Sequence, residues 1–448
     1  MTKRHGQFAL SLLLFIFLFI FFPMPSSPEL AKDKLNELRI NSQRLFQHLD
    51  RLSEFGKNSQ GGIDRVAFSQ ADLQAREYIK SLLIESGLEV RLDQAANIIG
   101  RKPARNSALS PILIGSHIDT VPDGGKYDGA LGVLAAIECV QVLSERGVLT
   151  RHPLEVVIFS DEEGGSVGSR AMSGEFPAEA LKATSQSGKT IYDGISFLGG
   201  DPEKLSLAAR HKGEVAAYIE LHIEQGGKLD SQHITIGIVE GIVGINRWEV
   251  VIEGFSNHAG TTPMDMRQDA LLAASYFIVA VNDAVKGLQG NQVGTVGKIK
   301  AEPGAPNVIP GLVSLTLELR DLSVPKILFL FEKIRREAQL IEKKTGTLMT
   351  FTPIEPASDP APTAETIRQS IARAASELKL STLFMPSGAG HDGQNIARIA
   401  PIGMIFIPSV GGISHSPKEY SKPEDITAGA NVLLQTILSL DQGLLGKK

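Results

Sequence analysis

Two hydrophobic periods alternate along the chain, and the changes between them mark its elements. Leu35, Leu38, Leu45, Leu49 and Leu52 recur near helical spacing between Ala31 and Gly61, and Ala75, Tyr78, Ile79, Leu82 and Leu83 do so between Gln70 and Ser86. Both stretches are expected to be amphipathic helices. LEVRLDQAANIIGRKP and SPILIGSH read as strands, Ala130 to Arg146 as an apolar helix closed by Gly147, and LEVVIFS as a buried strand. This alternation predicts an α/β sheet covered by helices. Further on, AAYIELHIEQGG has strand period: Tyr218, Glu220, His222 and Glu224 share one face, and Ile219, Leu221 and Ile223 the other.

From Gly244 the order changes. A strand (GINRWEVVIEG) and an apolar helix (Asp269 to Lys286) are followed by strands NQVGTVGKIKAEP and LVSLTLELRD, a helix from Val324 to Lys344, and the strand TLMTFTPIEP. The order βαββαβ is that of a ferredoxin-like sandwich. From about Ala357 helix and strand alternate again and complete the first domain. At 448 residues the chain is too long for one ordinary core. The expected division is a mixed-sheet α/β domain at 31–243 and 357–448, with the second domain inserted at 244–356.

Composition narrows the chemistry. Hydrophobic content of 42% with 21% charged residues describes a soluble globular protein, and a net charge of −5 gives no reason to expect nucleic-acid binding. The single cysteine, Cys139, sits in the apolar run GVLAAIECV and reads as a small core residue. Intramolecular disulfides and thiolate clusters are thereby excluded, so any metal ligand is His, Asp or Glu. At the amino terminus Lys3, Arg4 and His5 precede an uncharged run from Phe8 to Phe22 and then PMPSSPELA. That pattern matches a secretory signal in residues 1–30. The run is a little short of the roughly 20 residues of a membrane span, and an uncleaved anchor is the alternative. Export is expected, to a periplasmic or extracellular location or to a membrane tether.

Candidate chemistry collects at strand ends. Ile112 to Ile114 run into Gly115, His117 and Asp119, and a turn-rich loop then delivers Asp128. LEVVIFS runs into Asp161, Glu162 and Glu163. Loops at the carboxyl ends of strands are where open α/β sheets bind ligands. Taken singly, His-x-Asp also reads as a hydrogen-bonded turn, the acidic triplet as a surface turn, and His222 as a half-exposed strand residue. Taken together, His117, Asp128, Glu163, His222 and His415 suffice for two divalent metal ions (Zn, Mn or Co) if one carboxylate bridges. Paired metals polarise a carbonyl and generate hydroxide at neutral pH, and Glu162 is then the candidate general base. Neither a phosphate-binding GxxxxGK followed by Ser or Thr nor a GxGxxG opening a helix occurs.

The motifs GSHIDTVPDGGKYDGALGVLAAIE, SDEEGGSVGSRAMSG, ELHIEQG, FSNHAGTTPMDMRQDA, PGAPNVIPG, SGAGHDGQN and ISHSPKEYS occur in this order. With them the chain resembles the hydantoinase/carbamoylase family of binuclear metal amidohydrolases, in the aminoacylase and carboxypeptidase superfamily. The likeness covers nearly everything after the amino-terminal segment. It implies a zinc-exopeptidase-type catalytic domain with a dimerisation lid. His117, Asp128 and His222 would hold one metal, and Asp128, Glu163 and His415 the other. Asp119 would orient His117, and His258 would reach the partner subunit's active site to stabilise the oxyanion. Asn307 and Arg320 would hold the substrate carboxylate, with Gln225 a further contact and His391 lining the pocket. Exopeptidase relatives usually carry a carboxylate in place of His222 and lack NHAGTTPM. The implied substrates are therefore N-carbamoyl-L-amino acids, with allantoate or ureidoglycolate as the alternative. An aminoacylase or dipeptidase, or a catalytically silent binding protein on the same scaffold, are further readings.

Overall fold

The computed structural model describes residues 1–2 and 35–444, so the expected signal or anchor lies almost wholly outside the described residues. No described helix is long and apolar enough to cross a membrane.

The larger sheet has nine strands in the order β1-β2-β4-β3-β5-β15-β6-β13, with β14 also paired to β6. These are β1 (Glu89–Leu92), β2 (Ile98–Lys102), β3 (Ile112–His117), β4 (Leu154–Phe159), β5 (Ala217–Ile223), β6 (Ile236–Ile242), and, beyond the inserted elements, β13 (Ala361–Pro362), β14 (Thr382–Ser387) and β15 (Ile402–Ile407). β3, β4, β5 and β15 are buried along their whole length, as continuous aliphatic runs in a parallel core should be. β3 pairs in parallel with β4 and β5, and β5 with β15. β2 is antiparallel to β4, and β6 to β15, so the sheet is mixed.

Two expectations are refined. Within the stretch anticipated as one helix from Ala31 to Gly61, non-helical residues 37–41 precede an α-helix over Ser42–Ser53, which the Asn41 side chain caps by accepting from the Arg44 N–H. LEVRLDQAANIIGRKP forms two strands, β1 and β2, paired as a hairpin. Asp93 Oδ1 accepts from the N–H groups of Ala95 and Asn97 and so builds the turn between them.

Residues 244–358 carry the expected βαββαβ order, as β7 (Gly244–Glu253), a helix over Ala270–Lys286, β9 (Val293–Glu302), β11 (Leu312–Asp321), a helix over Val324–Thr345 and β12 (Leu348–Ser358). Their four-stranded antiparallel sheet has the order β12-β7-β11-β9. Every second residue of β11 is buried, the mark of a sheet with one covered face. That face packs Val250, Ile252, Leu315 and Leu317 against Phe277, Ile327, Leu330 and Ile334 of the helices. A separate two-stranded ribbon pairs β8 (Asn257–His258) with β10 (Val308–Ile309).

Candidate metal centre

Parallel pairing brings the ligands to one edge. His117 ends β3 opposite Phe159 at the end of β4, and His222 lies opposite Phe406 near the end of β15. The segments leaving β4 and β15 carry Glu162, Glu163 and His415. Asp128 arrives just before the helix Ala130–Glu145. Gly129 makes room: it has φ +61°, and a Cβ there would lie 2.4 Å from His117 Nε2.

Asp128 is the common member of two ligand sets. One joins His117, Asp128 and His222, the other Asp128, Glu163 and His415, and within each the ligand atoms lie within 4.8 Å of one another. Asp128 Oδ1 is 3.5 Å from His117 Nε2 and 3.2 Å from His222 Nε2. Its Oδ2 is 3.2 Å from His415 Nε2, which is 3.4 Å from Glu163 Oε1. The donor chemistry fits metal binding. Nδ1 of His117 donates to the Asp119 carbonyl at 3.0 Å, and Nδ1 of His222 to the Ile223 carbonyl at 2.9 Å. Both rings are thus oriented with Nε2 toward Asp128. Gly129 N–H lies 3.2 Å from His222 Nε2 and donates to it when that nitrogen carries no proton, the same form of the ring that binds a metal.

Glu162 stands beside this pair, with Oε2 3.8 Å from His117 Nε2. Burial first, and then repulsion from Asp392 and Glu163, pushes its carboxyl well above the usual range, with His117 opposing. Glu163 is pushed up to about 7, again chiefly by burial and then by Asp128. Burial acts against the Asp128 charge too, but hydrogen bonds from His117, His222 and His415 outweigh it and hold Asp128 well below the usual range. His415 is raised to about 9, chiefly by its bond to Asp128. Protons on these rings and a bound cation are alternative ways of balancing the carboxylates, so binding a metal releases protons.

The other anticipated residues divide. Asp119, expected to orient His117, meets its Nδ1 through the carbonyl at 3.0 Å, with Oδ1 3.6 Å from the same nitrogen. Its carboxylate accepts from the N–H groups of Glu162 at 3.3 Å and Glu163 at 3.1 Å, and so sets the acidic turn. Gln225 lies in the cluster itself, with Nε2 2.7 Å from Asp128 Oδ2 and 3.3 Å from His415 Nε2. His391, expected to line the pocket, is 3% exposed. Its ring packs edge-on against His222 at 4.6 Å, and its Nε2 meets Ser387 Oγ. Neighbouring Glu220 is engaged by Ser116 Oγ and Tyr218 Oη, so it and His391 read as a buried network behind His222.

Arg320 reaches from β11 across to the SGAGH loop. Its Nε donates to Glu318 and its Nη1 to the Gly388 carbonyl, each at 2.7 Å. His258 and Asn307 share the small ribbon: His258 pairs with Val308, and Ala259 N–H donates to the Asn307 carbonyl. Both side chains are exposed. His258 Nδ1 accepts from the N–H groups of Gly260 and Thr261, which leaves the ring proton on Nε2. Glu419 was missed entirely. It is 6% exposed and accepts from the N–H groups of Tyr127 and Asp128.

A mixed sheet of zinc-exopeptidase type, with His, Asp and Glu gathered at its parallel strand ends, defines the class of metal-dependent hydrolases. Residues 113–439 match the model of peptidase family M20/M25/M40, and the chain belongs to that family. It is 42% identical over 409 residues to an N-carbamoyl-L-amino acid amidohydrolase of Geobacillus stearothermophilus, covering 90% of this chain and 100% of the relative. A ureidoglycolate hydrolase of Arabidopsis thaliana is 37% identical over 420 residues, with 91% and 88% covered. Among solved structures, an amidase of the hydantoinase/carbamoylase family from Burkholderia multivorans superimposes with a TM-score of 0.84 at 33% identity, with 90% and 98% covered.

Proposed function

We propose that the protein hydrolyses the carbamoyl carbon–nitrogen bonds of N-carbamoyl-L-amino acids, giving the amino acid, CO2 and ammonia. The observation that carries this is the pair of ligand sets joined at Asp128 with Glu162 beside them. The substrate choice is supported by full-length similarity to an N-carbamoyl-L-amino acid amidohydrolase. Similarity to a ureidoglycolate hydrolase keeps ureidoglycolate, with allantoate, as the second reading.

Two divalent ions, Zn, Mn or Co, held by His117, Asp128 and His222 and by Asp128, Glu163 and His415, would supply Lewis acidity toward the carbonyl and toward water. Glu162 takes a proton from the attacking water and returns it to the departing nitrogen, a task suited to a carboxyl whose affinity for protons is raised. Gln225 orients the substrate beside Asp128. Arg320 and Asn307 read the substrate carboxylate, for which a guanidinium offers paired donors. His258, with its proton on Nε2, donates to the developing oxyanion. The ribbon carrying His258 belongs to a lid and dimerisation domain, and the active protein is a homodimer in which His258 serves the partner's site. The basic start and apolar run to Phe22 support export, with or without a retained anchor.

Ammonia release by metal-reconstituted protein tests the reading, with Mn, Co and Zn tried separately on N-carbamoyl-L-amino acids, allantoate and ureidoglycolate, and with N-acetyl amino acids and dipeptides followed by ninhydrin. Metal-dependent ammonia from an N-carbamoyl-L-amino acid is expected. Cleavage of acyl amino acids or peptides alone would overturn it.

A further inference from the structure

We propose that Glu419 is a positioning residue that clamps the two metal-bearing loops together and so sets the affinity of the paired site. The proposal rests on the binuclear reading above. Asp128 and His415 come from distant parts of the chain, and a direct tie between their loops helps hold Asp128 Oδ2 at 3.2 Å from His415 Nε2. Glu419 supplies that tie. Its Oε1 accepts from Tyr127 N at 2.8 Å and from Asp128 N at 3.1 Å. Its Oε2 meets Ser414 Oγ at 2.8 Å, and the same hydroxyl lies 3.1 Å from Asp128 Oδ2. Glu419 N–H closes the turn by donating to the Ser416 carbonyl at 3.0 Å.

Space is reserved for this carboxylate. A Cβ on Gly125 would lie 2.2 Å from Glu419 Oε1 and Cδ. His415 depends on the clamp more than the other ligands do. Its side chain is 47% exposed, against 2% for His117 and 1% for His222, and its backbone has φ +52°. Little packing holds that ring in place, so the turn from Ser414 to Glu419 must. Glu419 itself is no ligand in this arrangement, because both its oxygens are engaged by backbone and hydroxyl donors. Partners of this kind, one bond removed from a metal, commonly account for a 10- to 100-fold change in affinity.

The test titrates Mn2+ and Co2+ calorimetrically into the wild type, Glu419→Ala, Glu419→Gln and Ser414→Ala, with the visible spectrum of the cobalt forms recorded and melting in EDTA as the folding control. Glu419→Ala is expected to lose about 10- to 100-fold in affinity for the more weakly held ion and to shift the cobalt spectrum. Glu419→Gln is expected to stay within about threefold of wild type, because its amide oxygen still accepts the two N–H groups and its NH2 donates to Ser414, whose proton then serves Asp128. Ser414→Ala should lose roughly tenfold without unfolding. Wild-type affinity and spectrum in Glu419→Ala would overturn the proposal, as would a Glu419→Gln protein no better than Glu419→Ala. If Glu419→Ala does not fold, wild-type affinity in Ser414→Ala overturns it. A wild type that binds no pair of ions fails differently, because it removes the binuclear reading itself.

Discussion

Gly129→Ala separates the energetics of the fold from those of the site. The residue has φ +61° and ψ −48°, a conformation that an L side chain adopts only with strain of about 1–3 kcal/mol. It also has a specific neighbour: the new Cβ would lie 2.4 Å from His117 Nε2 and 2.5 Å from Cδ2 and Cε1 of the same ring. Restoring ordinary contact moves the ring by about 1 Å, and a displacement of that size in a catalytic constellation lowers rate on the order of 100-fold. His222 is disturbed as well, since the Gly129 N–H donates to its Nε2.

Gly147, beyond the other end of the same helix, supplies the control. It has φ +64°, and a Cβ there would meet nothing within 4 Å. Gly147→Ala therefore carries the backbone strain alone, roughly 1–2 kcal/mol. Chemical unfolding in EDTA should show a loss in both variants, the larger in Gly129→Ala, which adds the crowding of the His117 ring to the backbone strain. Calorimetric titration with Mn2+ or Co2+ should show about 10- to 100-fold weaker binding in Gly129→Ala only. Equal metal affinity in the two variants would refute the claim that Gly129 is glycine for the sake of the His117 ring.

Three further outcomes are expected. Glu162→Gln should bind metal within about twofold of wild type and lose about 100- to 10,000-fold in kcat; unchanged turnover removes Glu162 as the base. If His258 serves the partner's site, mixing inactive Glu162→Gln with inactive His258→Ala under subunit exchange should recover about a quarter of wild-type activity, because half the dimers are mixed and each has one complete site; no recovery in dimers shown to have exchanged counts against action across subunits. Asp72 tests linkage away from the site: burial raises its carboxyl to about 6 from 3.8, so the folded state binds the proton more tightly than the unfolded one. The resulting penalty is absent below about pH 4, grows as pH rises through 6, and amounts to roughly 3 kcal/mol when complete. Asp72→Asn should flatten the stability profile between pH 4 and 6 in urea unfolding, and an unaltered slope would exclude Asp72 as its source.

What could be read from the residues alone follows from how burial is encoded. Period and strand-end position are local properties, so β3, β4 and β5, the βαββαβ insertion and the placement of His117, Glu163 and His222 at one sheet edge all follow from short windows. The role of Glu419 and the part Asp119 plays in the acidic turn do not, because those carboxylates are spent on backbone N–H groups. Every non-proline residue carries such a donor, and no side-chain pattern marks which one is used. The Glu419 bond to Tyr127 also joins residues 292 positions apart. The surroundings of His391 were hidden for a related reason. A glycine-rich loop does not show which neighbour its histidine meets, and here the ring lies against His222. The side chains that bear the proposed chemistry were thus recoverable from residue type and period, whereas those that hold them in place depended on loops meeting across the sheet. If Glu419 is such a holding residue, its loss should weaken metal binding while leaving each proposed ligand in the sequence intact.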